Sequence, residues 1–381
     1  MDALVPITTT TLGLRPEVAA RVVAGLSSPN PIFERLGGVV RRIDNKRVVA
    51  WLRPMTEAAP SSGVPAAILA GAAASGLALS ITGLGFQALS RRLATVEEQL
   101  GRIEAAVAEV NRKLDSALFA KLKAALQQAQ DAQKSEISDN RQRSAHDAIG
   151  GLLEGQQQLK DLLAQAVGLR RLAAFPVFNS LLVACAAETC CRLEVGEIGL
   201  AKDRLGECCA ELRPRAQQMV EAFIGSAPGV YLQPAMAKAV PLARYVALKR
   251  RFDPGLTDAA CLEQVRVDLW QTAVQKPSAR LSGLPEEIVA SAHSGPLRTK
   301  MVRRFLGESY LPHVLCEVFG QAEQVAEGVC AAEGFHAELD FVSRAGLSYA
   351  SWKALRPPPE AAADDVLLLV PQESELAALL N

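Results

Sequence analysis

The distribution of charged positions along the chain changes abruptly near residue 58. From Ala58 to Ser90 there is no Asp, Glu, Lys, Arg or His, and this uncharged segment ends at Arg91–Arg92. As an α-helix, Pro65–Leu89 would be ~37 Å long at ~1.5 Å per residue, enough to cross a hydrocarbon core of ~30 Å. Its interior is Ala and Gly rather than Leu and Ile, so its hydropathy is borderline. The pattern predicts a helix that a protein can hold in a soluble state and release to a bilayer.

Small residues within the uncharged segment recur at a spacing of four, as in Gly71–Ser75 and Ala72–Gly76–Ser80. This spacing is typical of membrane helices that approach one another closely. The residues predicted to form the membrane segment are Ile68, Leu69, Gly71, Gly76, Leu77, Leu79, Ile81, Leu84 and Phe86.

A heptad-like apolar periodicity follows the uncharged segment. Spacings of three and four alternate and place the apolar residues on one stripe of a helix, which comprises Leu93, Val96, Leu100, Ile103, Val107, Val110 and Leu114. The spacing then becomes four from Leu114 through Leu118 and Leu122 to Leu126, as in a coiled-coil stutter. One helix is predicted to continue to about residue 135. Because an exposed apolar stripe must be covered, the stripe predicts self-association or packing against the rest of the chain.

The remaining pattern predicts a mainly α protein with five regions. These are residues 1–57, with a helix over 15–26 and a small β-hairpin over 37–52; the uncharged segment 58–90; the heptad helix 91–140; an α-helical bundle over 141–356; and an acidic tail over 357–381. The predicted fold is thus a long hydrophobic-plus-heptad helix packed with an α-helical bundle, plus the N-terminal hairpin element. The tail contains one apolar run, Val366–Val370.

Charge and composition narrow the classes of partner. The chain has 41 basic and 41 acidic residues, so its net charge of zero disfavours nucleic-acid binding. Residues 1–4 lack the basic and apolar regions of a secretory signal, which predicts synthesis in the cytoplasm. The uncharged segment predicts later association with the inner (plasma) membrane. We interpret the eight cysteines as reduced thiols. A helical hairpin that turns at Gly196–Gly199 is predicted to bring the adjacent pairs Cys190–Cys191 and Cys208–Cys209 near each other. A zinc site there is the alternative to buried packing, which we favour because neighbouring cysteines on a helix diverge.

Two spacings have the form of chemical motifs. Gly83 to Ala88 matches the GxGxxG/A pattern of dinucleotide-binding folds, but heptad helix occupies the region where a second strand and an acidic residue are required. His313 and Cys316 are three apart on a predicted helix, among residues typical of a core, and we favour a packed thiol over a catalytic pair. The remaining histidines are scattered. We therefore predict no enzymatic activity, no cofactor and no metal.

In general architecture, an uncharged Gly/Ala-rich segment joined to long helices resembles the membrane-active part of α-helical pore-forming proteins of the cytolysin A class. The resemblance covers residues about 60 to 135. Proteins of that class shelter a hydrophobic element in a soluble form and insert it as helices on oligomerisation. The resemblance implies that Pro65–Leu89 is the inserting element and Leu93–Leu126 the assembling one.

These observations favour a bacterial-type, membrane-perturbing or pore-forming effector that acts as a homo-oligomer. The bundle would then sense, shield or bind a protein regulator. The main alternative is a soluble helical scaffold in which the uncharged segment is a core helix and the heptads bind a partner. An enzyme with an unrecognised site is a third alternative. For the tail we expect docking on a basic group comprising Arg298, Lys300, Arg303 and Arg304, with a free, solubilising tail as the alternative.

Overall fold

The described part of the chain is mainly α-helical. The computed structural model describes residues 7–11, 33–36, 39–42, 48–54, 115–135, 137–225, 228–232, 236–253, 256–274, 311–344, 346, 348 and 366–370. The mainly α class and the helical bundle are confirmed within these residues.

Eight α-helices are described. They are α1 Asp115–Lys134, α2 Ser138–Gly168, α3 Ala174–Glu194, α4 Ile198–Val220, α5 Pro228–Tyr231, α6 Leu242–Phe252, α7 Asp258–Val274 and α8 Leu311–Arg344, with a π-helical turn at Glu221–Gly225 directly after α4. The end of α1 at Lys134 is close to the end predicted near residue 135.

A tight reversal joins α3 to α4. Gly196 adopts a left-handed backbone conformation with φ of +85°, which glycine tolerates because it has no Cβ. The amide of Gly196 donates to the carbonyl of Leu193, and the amide of Glu197 donates to that of Arg192. This glycine cap satisfies the last carbonyl groups of α3. The reversal lies at the Gly196–Gly199 turn predicted from the sequence, and it places α3 and α4 as a helical hairpin.

Five short strands form one sheet. They are β1 Ile7–Thr11, β2 Phe33–Leu36, β3 Val39–Arg42, β4 Val48–Pro54 and β5 Val366–Val370, in the order β1-β5-β4-β3-β2. β5 pairs parallel with β1 and antiparallel with β4, with Thr9 and Leu52 both opposite Leu368. The apolar run of the predicted tail is therefore a strand of this sheet. β3 and β4 pair antiparallel within the predicted hairpin range, but turn residues 43–47 lie outside the described residues, so the hairpin stays a prediction.

The chain divides into two compact units. The first comprises Met1–Leu159, Asn179–Leu212 and Glu327–Asn381, and the second comprises Lys160–Phe178 and Arg213–Ala326. In the first unit, the fully buried residues include Leu152, Leu159, Leu181 and Leu339. In the second unit, the largest buried side chains are aromatic: Phe175, Phe178, Phe223, Tyr231, Tyr245 and Phe319.

Candidate functional site

The residues predicted to act at a membrane lie outside the described residues. This holds for all nine residues of the membrane segment, for the seven stripe residues from Leu93 to Leu114 and for the Gly83–Ala88 motif. The basic group Arg298, Lys300, Arg303 and Arg304 also lies outside them. The predictions of a membrane helix, of self-association and of tail docking on that group therefore stay predictions.

The last part of the apolar stripe lies on α1 and is buried within the chain. Leu122 is 0% exposed and Leu126 is 2% exposed. A Cβ atom added at Gly155 of α2 would lie 3.0 Å from Leu122 Cδ1, and one added at Gly151 would lie 2.8 Å from Ala125 Cβ. Two glycines four residues apart thus let α1 and α2 approach closely. At these positions the stripe packs inside the chain rather than between chains.

Helix α3 is the apolar centre of the bundle. Among the described helices it is the one long and apolar enough to cross a membrane, yet 94% of that window is buried inside the structure. Its sequence carries Glu188, Arg192 and Glu194, which a lipid-facing helix would expose at high cost. The core helix of a soluble bundle passes the same length and composition test. The burial therefore favours a core role for α3.

A buried polar cluster, centred on Glu188, lies on α3. The residue Glu188 is 1% exposed. Its Oε1 accepts a hydrogen bond of 2.8 Å from Arg192 Nε and one of 3.4 Å from Arg204 Nε. Its Oε2 accepts one of 2.8 Å from Gln156 Nε2, which also donates to the carbonyl of Ala184 at 3.2 Å. The Glu188 cluster therefore links α2, α3 and α4 through one carboxylate.

Electrostatics at the Glu188 cluster follow from burial and charge pairing. Burial lowers the pKa of Arg204, but the Glu188 and Glu207 carboxylates outweigh it and the net effect is a raised pKa. Arg192 also pairs with Glu197, at 3.2 Å. Two cations flank one buried carboxylate, so the charges are compensated where water is excluded. The arrangement has the chemistry of a structural ion network.

Seven of the eight cysteines are buried, and Cys316 is half-buried. The predicted burial of the pairs Cys190–Cys191 and Cys208–Cys209 is confirmed. Burial, together with the neighbouring Cys190, Glu194 and Glu188, raises the pKa of the Cys191 thiol. Burial also raises the pKa of Cys316, which Arg244 partly counteracts. No group of three or more His, Cys, Asp or Glu residues able to hold a metal occurs within the described ranges.

One contact between cysteines does not involve two adjacent residues and was not predicted from the sequence. The Sγ atoms of Cys185 on α3 and Cys208 on α4 lie 3.0 Å apart, in a hydrogen bond donated by Cys208. Both residues belong to the first unit. The signal that would have identified them is their equal distance from the predicted turn, because antiparallel helices bring such residues together.

Of the two histidines whose side chains the structure describes, His336 on α8 has the more specific surroundings. A Cβ atom added at Gly206 of α4 would lie 2.8 Å from His336 Nε2, so the imidazole fills the space that glycine leaves. Nearby, Lys202 Nζ lies 3.6 Å from Asp340 Oδ1. Burial lowers the pKa of His336, against the opposite effect of Asp340. His146 is exposed. His313 and Cys316 both lie on α8, but the side chain of His313 is outside the described part, and so is His293.

The second unit contains an aromatic and ionic cluster around Phe319. The Arg244 guanidinium lies 5.2 Å from the centre of the Phe319 ring and donates to both carboxylate oxygens of Glu323. The rings of Tyr231 and Tyr245 lie 6.0 and 6.3 Å from that of Phe319. These distances are typical of packed aromatic and cation–π contacts in a core. The Phe319 cluster therefore stabilises this unit.

Comparison with known proteins identifies no relative. No family model matches the chain, no curated protein is detectably similar to it, and no solved structure matches it. The function must therefore be argued from the chain's own sequence and geometry.

Proposed function

We propose that this protein is a membrane-perturbing effector that acts as a homo-oligomer through the helix Pro65–Leu89. The observation that carries the proposal is the absence of charge from Ala58 to Ser90, between Arg53 and Arg91. A helix satisfies its backbone hydrogen bonds internally, so an uncharged one enters a bilayer without an unpaired backbone group in its interior and without an ionised side chain. The partners in this proposal are the lipid membrane, further copies of the chain and a protein regulator.

The contrast with α3 supports this assignment. Helix α3 is apolar yet carries the buried Glu188 carboxylate, which accepts hydrogen bonds from Gln156 of α2 and Arg204 of α4 as well as from Arg192 of α3 itself. The uncharged segment 58–90 has no side chain able to form an ion pair of this kind. In the proposal the bundle and the small N-terminal β-hairpin element remain outside the bilayer, and the tail regulates the release of the segment.

In the proposal, the heptad stripe forms the contacts between copies of the chain in the oligomer. Its downstream part, at Leu122 and Leu126, is covered within the chain. The upstream part, from Leu93 to Leu114, is the portion assigned to contacts between copies. We expect Ile103→Asp to dissociate the oligomer in sedimentation, because a charge at the centre of the stripe opposes apolar packing. A wild-type chain that sediments as a monomer with and without lipid would remove the oligomer from the proposal.

A soluble helical scaffold is the second candidate, and the burial of α3 favours it. A chain that covers its most apolar described helix has a core adequate to cover a second one. In that case the segment 58–90 would be another core helix, and the heptads would bind a partner protein.

Dye release from liposomes separates the two candidates. The full-length protein is mixed with vesicles of phosphatidylethanolamine and phosphatidylglycerol, and the same assay is run on a variant lacking residues 58–90. We expect release with the full-length chain and none with the deletion variant. Flotation of the vesicles then tests binding separately from leakage. A full-length chain that neither floats with the vesicles nor releases dye, at neutral or acidic pH, favours the scaffold.

A further inference from the structure

The hairpin of α3 and α4 brings two thiols into contact in the core of the first unit. Cys185 and Cys208 are 2% and 5% exposed, and their Sγ atoms are 3.0 Å apart. A disulfide requires an S–S distance of ~2.05 Å, so the sulfur atoms need to approach by only about 1 Å.

The two thiols differ in their electrostatic surroundings. Arg204 lies one helical turn before Cys208 on α4. Burial lowers the pKa of Arg204, and the charges of Glu188, Glu207 and, to a smaller extent, Cys208 raise it. The Arg204 guanidinium is therefore a cation that interacts electrostatically with the Cys208 sulfur. Cys208 is also the more exposed of the two thiols. These features make Cys208 the first thiol to react.

We propose that Cys185 and Cys208 are an oxidation site, at which hydrogen peroxide forms a reversible disulfide that fastens α3 to α4. The inference does not depend on the proposed membrane activity. In a reducing compartment the pair rests as two thiols, and disulfides formed there are typically transient and redox-sensing.

The reaction balances with peroxide as the only oxidant. The Cys208 thiolate attacks one peroxide oxygen, the O–O bond breaks, and Cys208 becomes a sulfenic acid while hydroxide leaves and is protonated to water. The Cys185 sulfur then attacks the Cys208 sulfur. The S–S bond forms, the S–O bond breaks, and the thiol proton leaves with the hydroxide as a second water. Two thiols lose two electrons in total, and one peroxide gains them.

The disulfide would act on α3, the most apolar of the described helices. The bond would close a loop through the α3–α4 turn and fix α3 against its neighbour. Because such a cross-link restricts the unfolded chain, it stabilises the hairpin. Oxidation would therefore hold α3 in the bundle, and reduction would restore the thiol contact.

The test is a peptide map of the full-length protein. Purified protein is treated with peroxide, remaining thiols are alkylated under denaturing conditions, and the chain is digested with trypsin without reduction. We expect the peptide 172–192 to be joined to the peptide 205–215, with a mass lower than the sum of the two by two hydrogen atoms. Fragmentation should place the bond between Cys185 and Cys208. The melting temperature should rise by several degrees and fall again with dithiothreitol.

Cys209→Ser is the matched control, since it changes the neighbouring buried thiol within the same peptide. The joined peptides should persist in Cys209→Ser and disappear in Cys208→Ser. Because the map of the wild-type protein does not depend on either variant folding, the proposal stays testable if a substitution destabilises the chain. An oxidised, folded wild-type protein without the joined peptides would overturn the proposal. So would a cross-link that persists in Cys208→Ser.

Discussion

Two segments of this chain are apolar and long enough to cross a membrane, and they differ in charge. The segment 58–90 has no ionisable side chain, whereas α3 carries a carboxylate that is 1% exposed and is bonded to three neighbouring side chains. Length and hydropathy alone do not distinguish a core helix from a membrane helix. A buried ion identifies α3 as a core helix, because it requires protein partners that a bilayer cannot supply, and the absence of charge from 58–90 is the feature on which the proposed membrane role rests.

The largest expected effect tests the α3 side of this comparison. Glu188→Ala removes the acceptor and leaves Arg192 buried without its main carboxylate. Breaking a buried pair in this way should lower the free energy of unfolding by about 3–5 kcal/mol, measured by urea denaturation. Glu207→Ala is the control, because that carboxylate also pairs with Arg204 but its side chain is 65% exposed. The control should cost about 0–1 kcal/mol. Equal losses in the two variants would mean that the Glu188 cluster does not fix α3 in the core.

The next effect tests the uncharged segment. Leu77→Glu places a carboxylate at the centre of Pro65–Leu89, which costs ~2.5–3.5 kcal/mol on insertion. Binding to liposomes should therefore fall on the order of 100-fold, with the melting temperature unchanged. Leu262→Glu makes the same substitution at a residue of α7 that is 44% exposed. It should bind liposomes like the wild type. Undiminished binding by a folded Leu77→Glu protein would assign membrane contact to another part of the chain.

Small residues have different roles in the segment 58–90 and in the bundle, and substituting them is expected to have a smaller effect on stability. In 58–90 small residues at a spacing of four are predicted to pack membrane helices, whereas Gly151 and Gly155 bring α1 and α2 together in the bundle. Gly151→Ala adds a methyl group that meets Ala125, and should destabilise the protein on the order of 1 kcal/mol. Gly150→Ala meets nothing within 4 Å and should stabilise it by roughly 0.5–1 kcal/mol. Thermal denaturation of both variants checks the sign. Stabilisation by both would show that the α1–α2 contact is looser than described.

The smallest expected effect is a pH dependence confined to the bundle. Burial lowers the pKa of His336 from its ordinary value of 6.5, so the unfolded state takes up the proton first as pH falls. The contribution of neutral His336 to the free energy of unfolding is therefore present above pH 6.5, the unfolded-state pKa. This contribution is lost as the pH falls from 6.5 towards the lower pKa of the folded state. Comparing melting temperatures at about pH 7 and about pH 5.5, His336→Gln should show a smaller decrease than the wild type. An unchanged decrease would assign the acid sensitivity to other groups.

Periodicity and turn residues predicted the helices well, because they report local geometry. The Gly196 reversal and the buried ends of the heptad stripe, Leu122 and Leu126, follow from such signals. The Glu188 cluster did not follow, since Gln156, Glu188 and Arg204 are far apart in sequence and no spacing relates them. The Cys185–Cys208 contact did not follow for a different reason. The visible pattern in the sequence is the two pairs of adjacent cysteines, whereas packing across a hairpin brings together residues equidistant from the turn. The strand Val366–Val370 was interpreted as part of a tail, because its sheet partners lie at the other end of the chain.

Protease protection on liposomes tests the central claim directly, because trypsin releases both apolar segments as identifiable peptides. Trypsin does not cleave the Arg53–Pro54 bond, so cleavage at Arg47 and Arg91 frames the peptide 48–91, and cleavage at Arg171 and Arg192 frames the peptide 172–192. After incubation with vesicles, digestion and washing, mass spectrometry identifies the peptides that remain with the lipid. The account predicts that a lipid-bound fragment contains 65–89 and that 172–192 is released to solution. Retention of 172–192 without 65–89, or of neither segment, would contradict it.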